Sequence, residues 1–446
     1  MLPRKFHGFT SAFVLSSLLA CEGTPTAPAA PLAGAEILTV TSGSGKRNAM
    51  LVVGDSVVIS VAPTNGSASL ESAVTWKILS GREAIGIRPL SGTTALVKTF
   101  VPGNAMIQAI TPGGTGTFTV GVRVPSQVAF VWTAEAGMKL IPIPDGARDA
   151  RATAVNNRGE VVGWFSSDNG NRAFFWSQAT GFHAITESRQ GENAEATAIN
   201  NQGVVVGGLS KEWVGSFAFA WSPSEGFRLI GVEGAWAHGI NDAGQVVGGV
   251  YPSNESVPVQ RAFIWKLGEN ALTHLRDGSV ATDISNSGNV VGYTEDAGQA
   301  VTGLAWPASA GAPVRIFETL DLRGCSVGSY LFWKSERGCV GEAASVNDAG
   351  EVAGTKFDTA FRWTPGNGVK LLELSGSRVS WGRGINAQGD VVGHALTSPL
   401  NAPRPIHESF VWRSNGEITK LGKLPGTATT VATAINDHGM VVGYAY

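Results

Sequence analysis

Three cysteines, five methionines, five tyrosines and only 15% charged residues in a chain of 446 leave several kinds of function without material. The formal net charge is -2 and no cluster of Lys and Arg supplies the basic footprint that phosphate backbones require, so no nucleic-acid partner is expected. No GxSxG, HExxH or CxxC motif occurs and the seven histidines are scattered. The sequence therefore nominates no catalytic residue, no metal-ligand set and no cofactor. Glycine, by contrast, is abundant: 58 residues, about 13% of the chain against a usual ~7%. That excess, with so little charge, favours turn-rich all-β structure. The length exceeds one small core, so several domains or one large repeat array are expected.

The first residues have the layout of an export signal, with Arg4 and Lys5 ahead of a mostly apolar run from Phe9 to Ala20. A dozen such residues are too few to span a bilayer permanently, which takes ~20. Leu18-Leu19-Ala20-Cys21 resembles the lipobox of bacterial lipoproteins. The resemblance implies that the Cys21 thiol is diacylated and becomes the mature N-terminus, with the alternative an ordinary secretory signal. Two or more acyl chains give stable anchoring where one is marginal. Glu22, rather than Asp, follows the cysteine, and in a cell with two membranes the outer one is expected. Residues 21–36 are rich in Pro, Ala and Thr and read as an extended tether. The other cysteines, Cys325 and Cys339, are most simply a disulfide in an exported protein, worth about 3 kcal/mol in the chain-entropy model. A metal site there lacks companions.

From residue 37 to 125 the pattern is seven short strands separated by turn signals: ILTVTSG, MLVVGDSVVISVAP, AVTWKIL, IGIRPL, TALVKTF, NAMIQAI and GTFTVGVRV. The phrases VGDSVVISV, AVTWKI and GNAMIQAITPGGTGTFTVGV resemble the second strand, third strand and closing hairpin of bacterial Ig-like domains of group 2. The resemblance implies an Ig-like β-sandwich serving as a spacer, with Trp76 in its core.

Residues 126–446 carry a seven-fold repeat of four parts. An apolar strand ends in Trp, as AFVW (129–132), AFFW, AFAW, AFIW, GLAW, AFRW and SFVW (409–412); a second apolar stretch follows; then come ATAVN-like and VVG-like segments joined by a turn such as INDAGQVVG. The turn glycine is present in all seven copies: Gly159, Gly203, Gly244, Gly288, Gly350, Gly389 and Gly439. Asn or Asp opens a type I turn by bonding its own backbone, and Gly takes the left-handed position that completes a bulged hairpin. No copy has the alternating carboxylates of a calcium loop. Four short strands per ~44 residues describe the blade of a β-propeller, and the constant Trp residues are assigned to packing between blades.

These units resemble the HAF family of extracellular repeats, which pair an Ala-Phe-x-Trp strand with an IN-x-x-G-x-VVG hairpin. The family's namesake His is missing before every Ala-Phe, where Val128, Arg172, Phe217, Arg261, Thr302, Thr359 and Glu408 stand. The resemblance implies an extracytoplasmic repeat protein and supplies no activity. The fold expected for the whole chain is thus all-β, an Ig-like β-sandwich followed by a seven-bladed β-propeller. Its closure would bring the 129–132 strand and the last VVG strand together, in one shared blade or across two.

Because shared residues already have structural reasons, a site is sought where one unit departs from its siblings. Trp236 and His238 in unit three and Trp381 and Arg383 in unit six are such departures, as is Asp283 in unit four. Elsewhere His238 and Arg383 are mostly replaced by Thr. Converging on one face, these five side chains would stack a sugar ring and bond its hydroxyls or an anion. Their alternative is ordinary variation at a solvated strand end. A second departure is the insertion at about 317–342 with Tyr330, Phe332 and Trp333, either a partner-contact loop or an extra hairpin.

The combined reading is a monomeric, exported, lipid-anchored envelope protein whose propeller recognises polysaccharide or a surface protein. The alternatives are a propeller enzyme acting on a glycan and a purely structural envelope component.

Overall fold

The computed structural model describes residues 38–42, 48–52, 56–63, 74–100, 103–112, 114–123, 127–144, 147–186, 191–212, 214–230, 233–251, 260–269, 272–277, 279–296, 300–308, 314–316, 341–377, 379–399 and 405–446. Cys21, Cys325, Cys339 and the aromatics Tyr330, Phe332 and Trp333 lie outside the described residues. Among those described there is no helix, hence none long and apolar enough to cross a membrane.

The first eight strands are β1 (Leu38–Ser42), β2 (Asn48–Val52), β3 (Ser56–Pro63), β4 (Thr75–Ser80), β5 (Ile85–Pro89), β6 (Thr94–Thr99), β7 (Gly103–Thr111) and β8 (Gly114–Arg123). They form two four-stranded sheets, ordered β1-β3-β6-β5 and β2-β8-β7-β4, and share one apolar core containing Ile59, Val97, Ile107 and Phe118. The sequence predicts seven strands and the described residues hold eight, because the run MLVVGDSVVISVAP is split between the sheets: β2 pairs parallel with β8 while β3 pairs antiparallel with β1 and β6. Trp76 packs at the edge of this core, half-buried.

The remaining strands make seven four-stranded antiparallel sheets. The first sheet is β11 (Ala150–Val155), β12 (Val161–Ser167), β13 (Gly170–Ser177) and β14 (Gly181–Ala184), in chain order. Five more follow the same order, their leading strands being β15 (Glu192–Ile199), β19 (Ala235–Ile240), β23 (Ser279–Ile284), β27 (Gly341–Val346) and β31 (Ser380–Ile385). The seventh is drawn from two distant segments: β35 (Thr430–Ile435) and β36 (Val441–Ala445), then β9 (Val128–Thr133) and β10 (Gly137–Leu140). Gly443 faces Phe130 across the β36 and β9 pair, so the 129–132 strand and the last VVG strand share one sheet. Each sheet thus begins with an ATAVN-like strand, and the four-part unit read from the sequence is offset by two strands from the sheet it builds.

Each repeated residue has a local cause. The turn glycines have φ between 74° and 84°, the left-handed region in which a side chain is strained. In the first sheet Asn156 Oδ1 accepts from the backbone N–H of Arg158 and of Glu160, both at 3.0 Å, the turn chemistry expected. The glycine of each VVG run answers a different demand. A bulge in every leading strand turns one carbonyl inward, and a Cβ on Gly163 would sit 1.9 Å from the Arg151 oxygen and 2.9 Å from the Phe174 ring. The same clash recurs at Gly207, Gly248, Gly292, Gly354, Gly393 and Gly443. Packing runs from sheet to sheet, as when Phe175 of the first sheet meets Trp221 of the second at 5.5 Å between ring centroids. Trp132, Trp265, Trp306 and Trp412 are buried in four apolar clusters, and Trp176, Trp221 and Trp363 pack half-buried against three others.

The turns also hold one another. Asn156 Nδ2 donates to the Asn200 carbonyl, Asn200 to Asn241, and Asn241 to Ser285. Ser287 Oγ donates to the Asp348 carbonyl; Asn347 Nδ2 then donates to Asn386, Asn386 to Asn436, and Asn436 back to Asn156. A series of bonds that leaves the first sheet returns to it after visiting the other six.

Candidate functional site

The bulge fixes where the divergent residues stand. Its extra residue is Thr in four sheets, and each hydroxyl donates to a carbonyl of its own hairpin and to one of the following sheet: Thr153 to Val162 and Ala196, Thr197 to Val206 and Ala237, Thr282 to Val291 and Ala343, Thr433 to Val442 and Ala152. This position is therefore a latch between sheets, and His238 and Arg383 replace a latch. His238 has no hydrogen-bond partner among the described residues, and burial pushes its imidazole down to about 4, leaving it neutral at pH 7.

The five residues singled out from the sequence stand on three sheets, Trp236 and His238 on the third, Asp283 on the fourth, where a Cβ on Gly239 would lie 3.0 Å from its Cα, and Trp381 and Arg383 on the sixth. Trp236 lies half-buried over the second sheet, where a Cβ on Gly208 would meet its indole at 2.0 Å. Asp283 is spent on fastening: Oδ2 accepts from Ser345 Oγ at 2.8 Å and from the Val346 N–H at 3.0 Å in the fifth sheet, and Oδ1 accepts from the Ile284 N–H. Burial raises this carboxyl to about 6 against the pull of those bonds. Trp381 and Arg383 stand together in the sixth sheet. Arg383 Nη1 donates to Glu342 Oε1 of the fifth sheet at 2.5 Å. Trp381 stacks on His394, with centroids 4.7 Å apart and planes 18° apart, and reaches His407 at 5.4 Å. No hydrogen bond or ring contact joins Trp381 or Arg383 to Trp236, His238 or Asp283 among the described residues.

Around Trp381 stand polar groups of the two strands that pair beside it. His394 is its direct partner across the β31 and β32 (Val391–Leu396) pair, and Ser409 is the partner of His394 on β33 (His407–Trp412). His394 and His407 lie 5.4 Å apart, edge to face. Among the described residues His394 Nδ1, His407 Nδ1 and Ser409 Oγ are buried without a hydrogen-bond partner, as are Trp412 Nε1 of the same sheet and Thr355 Oγ1 and Arg362 Nε of the fifth. Buried polar groups are ordinarily satisfied, and His394, His407 and Ser409 are three exceptions on one pair of neighbouring strands. Burial, then the Arg383 charge and His407, hold His394 well below the ordinary histidine range, and burial lowers His407. Both rings are neutral near pH 7. Among the described residues no grouping of three or more His, Cys, Asp or Glu could hold a metal ion.

The signal for this cluster was present in a different column of the repeat. The residue after each VVG or VAG differs in character from sheet to sheet: Trp164, Gly208, Gly249, Tyr293, Thr355, His394 and Tyr444. Its partner column on the leading strands is as varied, with Arg151, Glu195, Trp236, Val280, Glu342, Trp381 and Val431. These two columns lie at the ends of the leading strands away from the Asn turns. There the Arg151 guanidinium sits 5.0 Å from Trp164 and 4.5 Å from Tyr444 of the seventh sheet. Glu195 accepts from Asn171 Nδ2 at 3.2 Å, its carboxyl raised by burial against the opposing effects of Asn171 and Arg151.

No family model and no curated protein matches the chain. Among solved structures it is similar to a prolyl endopeptidase (12% identity, TM-score 0.45), covering 65% of this chain and 45% of that one. It is also similar to a quinonprotein alcohol dehydrogenase-like protein from Bacteroides thetaiotaomicron (11%, 0.39, covering 83% and 92%) and to TolB from Acinetobacter baumannii (9%, 0.35, covering 92% and 96%). The chain therefore spans less than half the length of the peptidase it matches. At these identities and scores neither activity nor ligand carries over.

Proposed function

We propose that this chain is an exported, lipid-anchored binding protein of the bacterial cell envelope, in which an Ig-like domain spaces a seven-bladed β-propeller of HAF-type repeats from the membrane. The propeller recognises a polysaccharide, and binds it without cleaving it. One observation carries the reading: the residues the sheets share are used up in hairpin turns and inter-sheet latches, while those in which they differ collect at the opposite strand ends. The return of the Asn bonds to Asn156 and the shared seventh sheet support closure of the propeller. The half-buried Trp381 and the neutral polar groups beside it support a carbohydrate over a flat protein epitope, since sugar sites combine aromatic walls with a few converging polar groups. The propeller and Ig-like assignments, the lipid on Cys21 and the envelope location rest on the sequence.

The test is retention of the full-length protein, solubilised in detergent, on a panel of immobilised polysaccharides including peptidoglycan. Retention that falls in the Trp381→Ala variant, with polymer recovered at unchanged length, is the expected result. Shortened polymer would favour the glycan-active enzyme, and no retention on any polymer would favour a surface-protein partner or a purely structural role.

A further inference from the structure

Among the described residues positive φ is confined to glycine except at two neighbours, Phe357 at 48° and Asp358 at 59°. They form the two-residue connection between β28 (Val352–Lys356) and β29 (Thr359–Thr364) of the fifth sheet, where Lys356 faces Thr359 across the hairpin. A connection with the left-handed region at both central positions is the place where Asn-Gly is favoured. A bulky aromatic residue there is an outlier that the surrounding structure has to hold in place. Two bonds from the sixth sheet hold it: the Ser380 N–H donates to the Asp358 carbonyl at 2.7 Å, and Ser380 Oγ accepts from the Ala360 N–H at 2.9 Å. Phe357 is also the most exposed large apolar side chain among the described residues, at 57%. Neither backbone preference nor burial therefore accounts for a phenylalanine at this tip.

Its position supplies a reason. Phe357 precedes Asp358 and Trp381 follows Ser380, so the bond between Asp358 and Ser380 sets the tip of the fifth sheet against the start of the strand that carries Trp381. The tip itself is polar around the ring, with Lys356, Asp358 and Thr359 as its other residues and Lys356 Nζ 5.7 Å from the ring centroid. A protein interface rests on a contiguous patch of about 800 Å² per partner, far more than one aromatic side chain in a polar frame. The C–H face of a sugar unit, with hydroxyls at its edge, matches such a frame. We propose that Phe357 is a second aromatic contact for the polysaccharide, held out on a strained hairpin tip beside the strand of Trp381, so that different units of one chain meet the two residues. The inference rests on the polysaccharide reading and deepens it: the ligand is a run of sugar units crossing from the fifth sheet to the sixth, rather than a single terminal sugar.

The experiment uses the full-length protein in detergent with its phenylalanines para-fluorinated, the fluorine resonance of Phe357 being identified by its loss in Phe357→Asn. Maltohexaose, cellohexaose and N-acetylchitohexaose are titrated separately, and polymer retention and the unfolding midpoint are measured on unlabelled protein. A saturable shift of the Phe357 resonance with at least one oligosaccharide is expected. The double replacement Phe357→Asn with Asp358→Gly gives the turn the pair it favours, so it is expected to raise the unfolding midpoint while weakening binding about fivefold or more. Phe357→Trp keeps an aromatic face and is expected to bind within about twofold of the wild type. A residue kept for the fold alone would behave in the opposite sense, losing stability on replacement and leaving binding untouched. No saturable shift of Phe357 with any of the oligosaccharides, a lowered midpoint in the double replacement, or binding by it equal to the wild type would overturn the proposal. Polymer retained equally by the wild type and the double replacement would overturn Phe357 as a contact and leave the binding reading standing. A Phe357 shift with an oligosaccharide but no polymer retained would do the reverse.

Discussion

Asn436 donates from Nδ2 to the Asn156 carbonyl at 2.9 Å, joining residues 280 positions apart in the chain. The same asparagine side chain accepts from the N–H groups of His438 and Met440, so one residue shapes its own turn and fastens the next. This double duty explains why Asn, rather than the nearly equivalent turn-former Asp, stands at that position in six of the seven turns: only the amide can also donate.

Replacing Asn156 by Ala removes an acceptor of two backbone bonds and a donor to Asn200 and to Glu160. A loss of about 2–3 kcal/mol is expected, from net hydrogen-bond values with buried donors left unpaired. Chemical denaturation checks it, and a loss below ~0.5 kcal/mol would show that the turns do not depend on one another.

Two glycines separate conformational strain from crowding. Gly181 has φ of 74° but open space around a Cβ, so Gly181→Ala is expected to cost only ~1–2 kcal/mol. Gly163→Ala drives a methyl into the Arg151 carbonyl and is expected to cost at least ~3 kcal/mol or to prevent folding. Equal losses, measured by denaturation or soluble yield, would contradict the close approach seen at the bulge.

His238 and Asp283 give stability opposite pH dependences. A histidine lowered from 6.5 to about 4 contributes stability that is present above pH 6.5 and lost as pH falls through about 4. A carboxyl raised from 3.8 to about 6 contributes stability that is present below pH 3.8 and lost as pH rises through about 6. His238→Gln is therefore expected to flatten the loss of stability between pH 6.5 and pH 4. Denaturation curves at pH 4.5 and 7 that differ as much in the variant as in the wild type would refute this.

Asp283→Ala leaves the Val346 and Ile284 N–H groups and the Ser345 hydroxyl without their acceptor. About 2–3 kcal/mol of stability is expected to be lost, with sugar retention by the folded protein unchanged. A loss of retention at unchanged stability would instead place Asp283 in the binding site.

What the sequence disclosed depended on the range of the cause. The turn at Asn156 and Gly159 was legible because its chemistry is complete within five residues, and the Trp-ended strands were legible because seven copies average out accident. The split of MLVVGDSVVISVAP into β2 and β3 was missed because an apolar run says nothing about which partner each half pairs with. The glycine of VVG was visible seven times, yet its reason is the carbonyl of Arg151 and its equivalents, which only the bulged pairing brings near. Trp381 and Arg383 were found by comparing one strand among units. His394 and Ser409 lie on the two strands that pair beside Trp381, and the comparison had to be made across the sheet to find them.

The division of labour between shared and divergent residues is tested most directly by measuring, side by side, unfolding free energy and retention on the best-binding polysaccharide for Asn156→Ala and Trp381→Ala. Asn156→Ala is expected to lower stability while its folded fraction binds like the wild type, and Trp381→Ala to lose at least tenfold in affinity with stability changed by less than half as much. Retention that follows Asn156 and ignores Trp381 would contradict it.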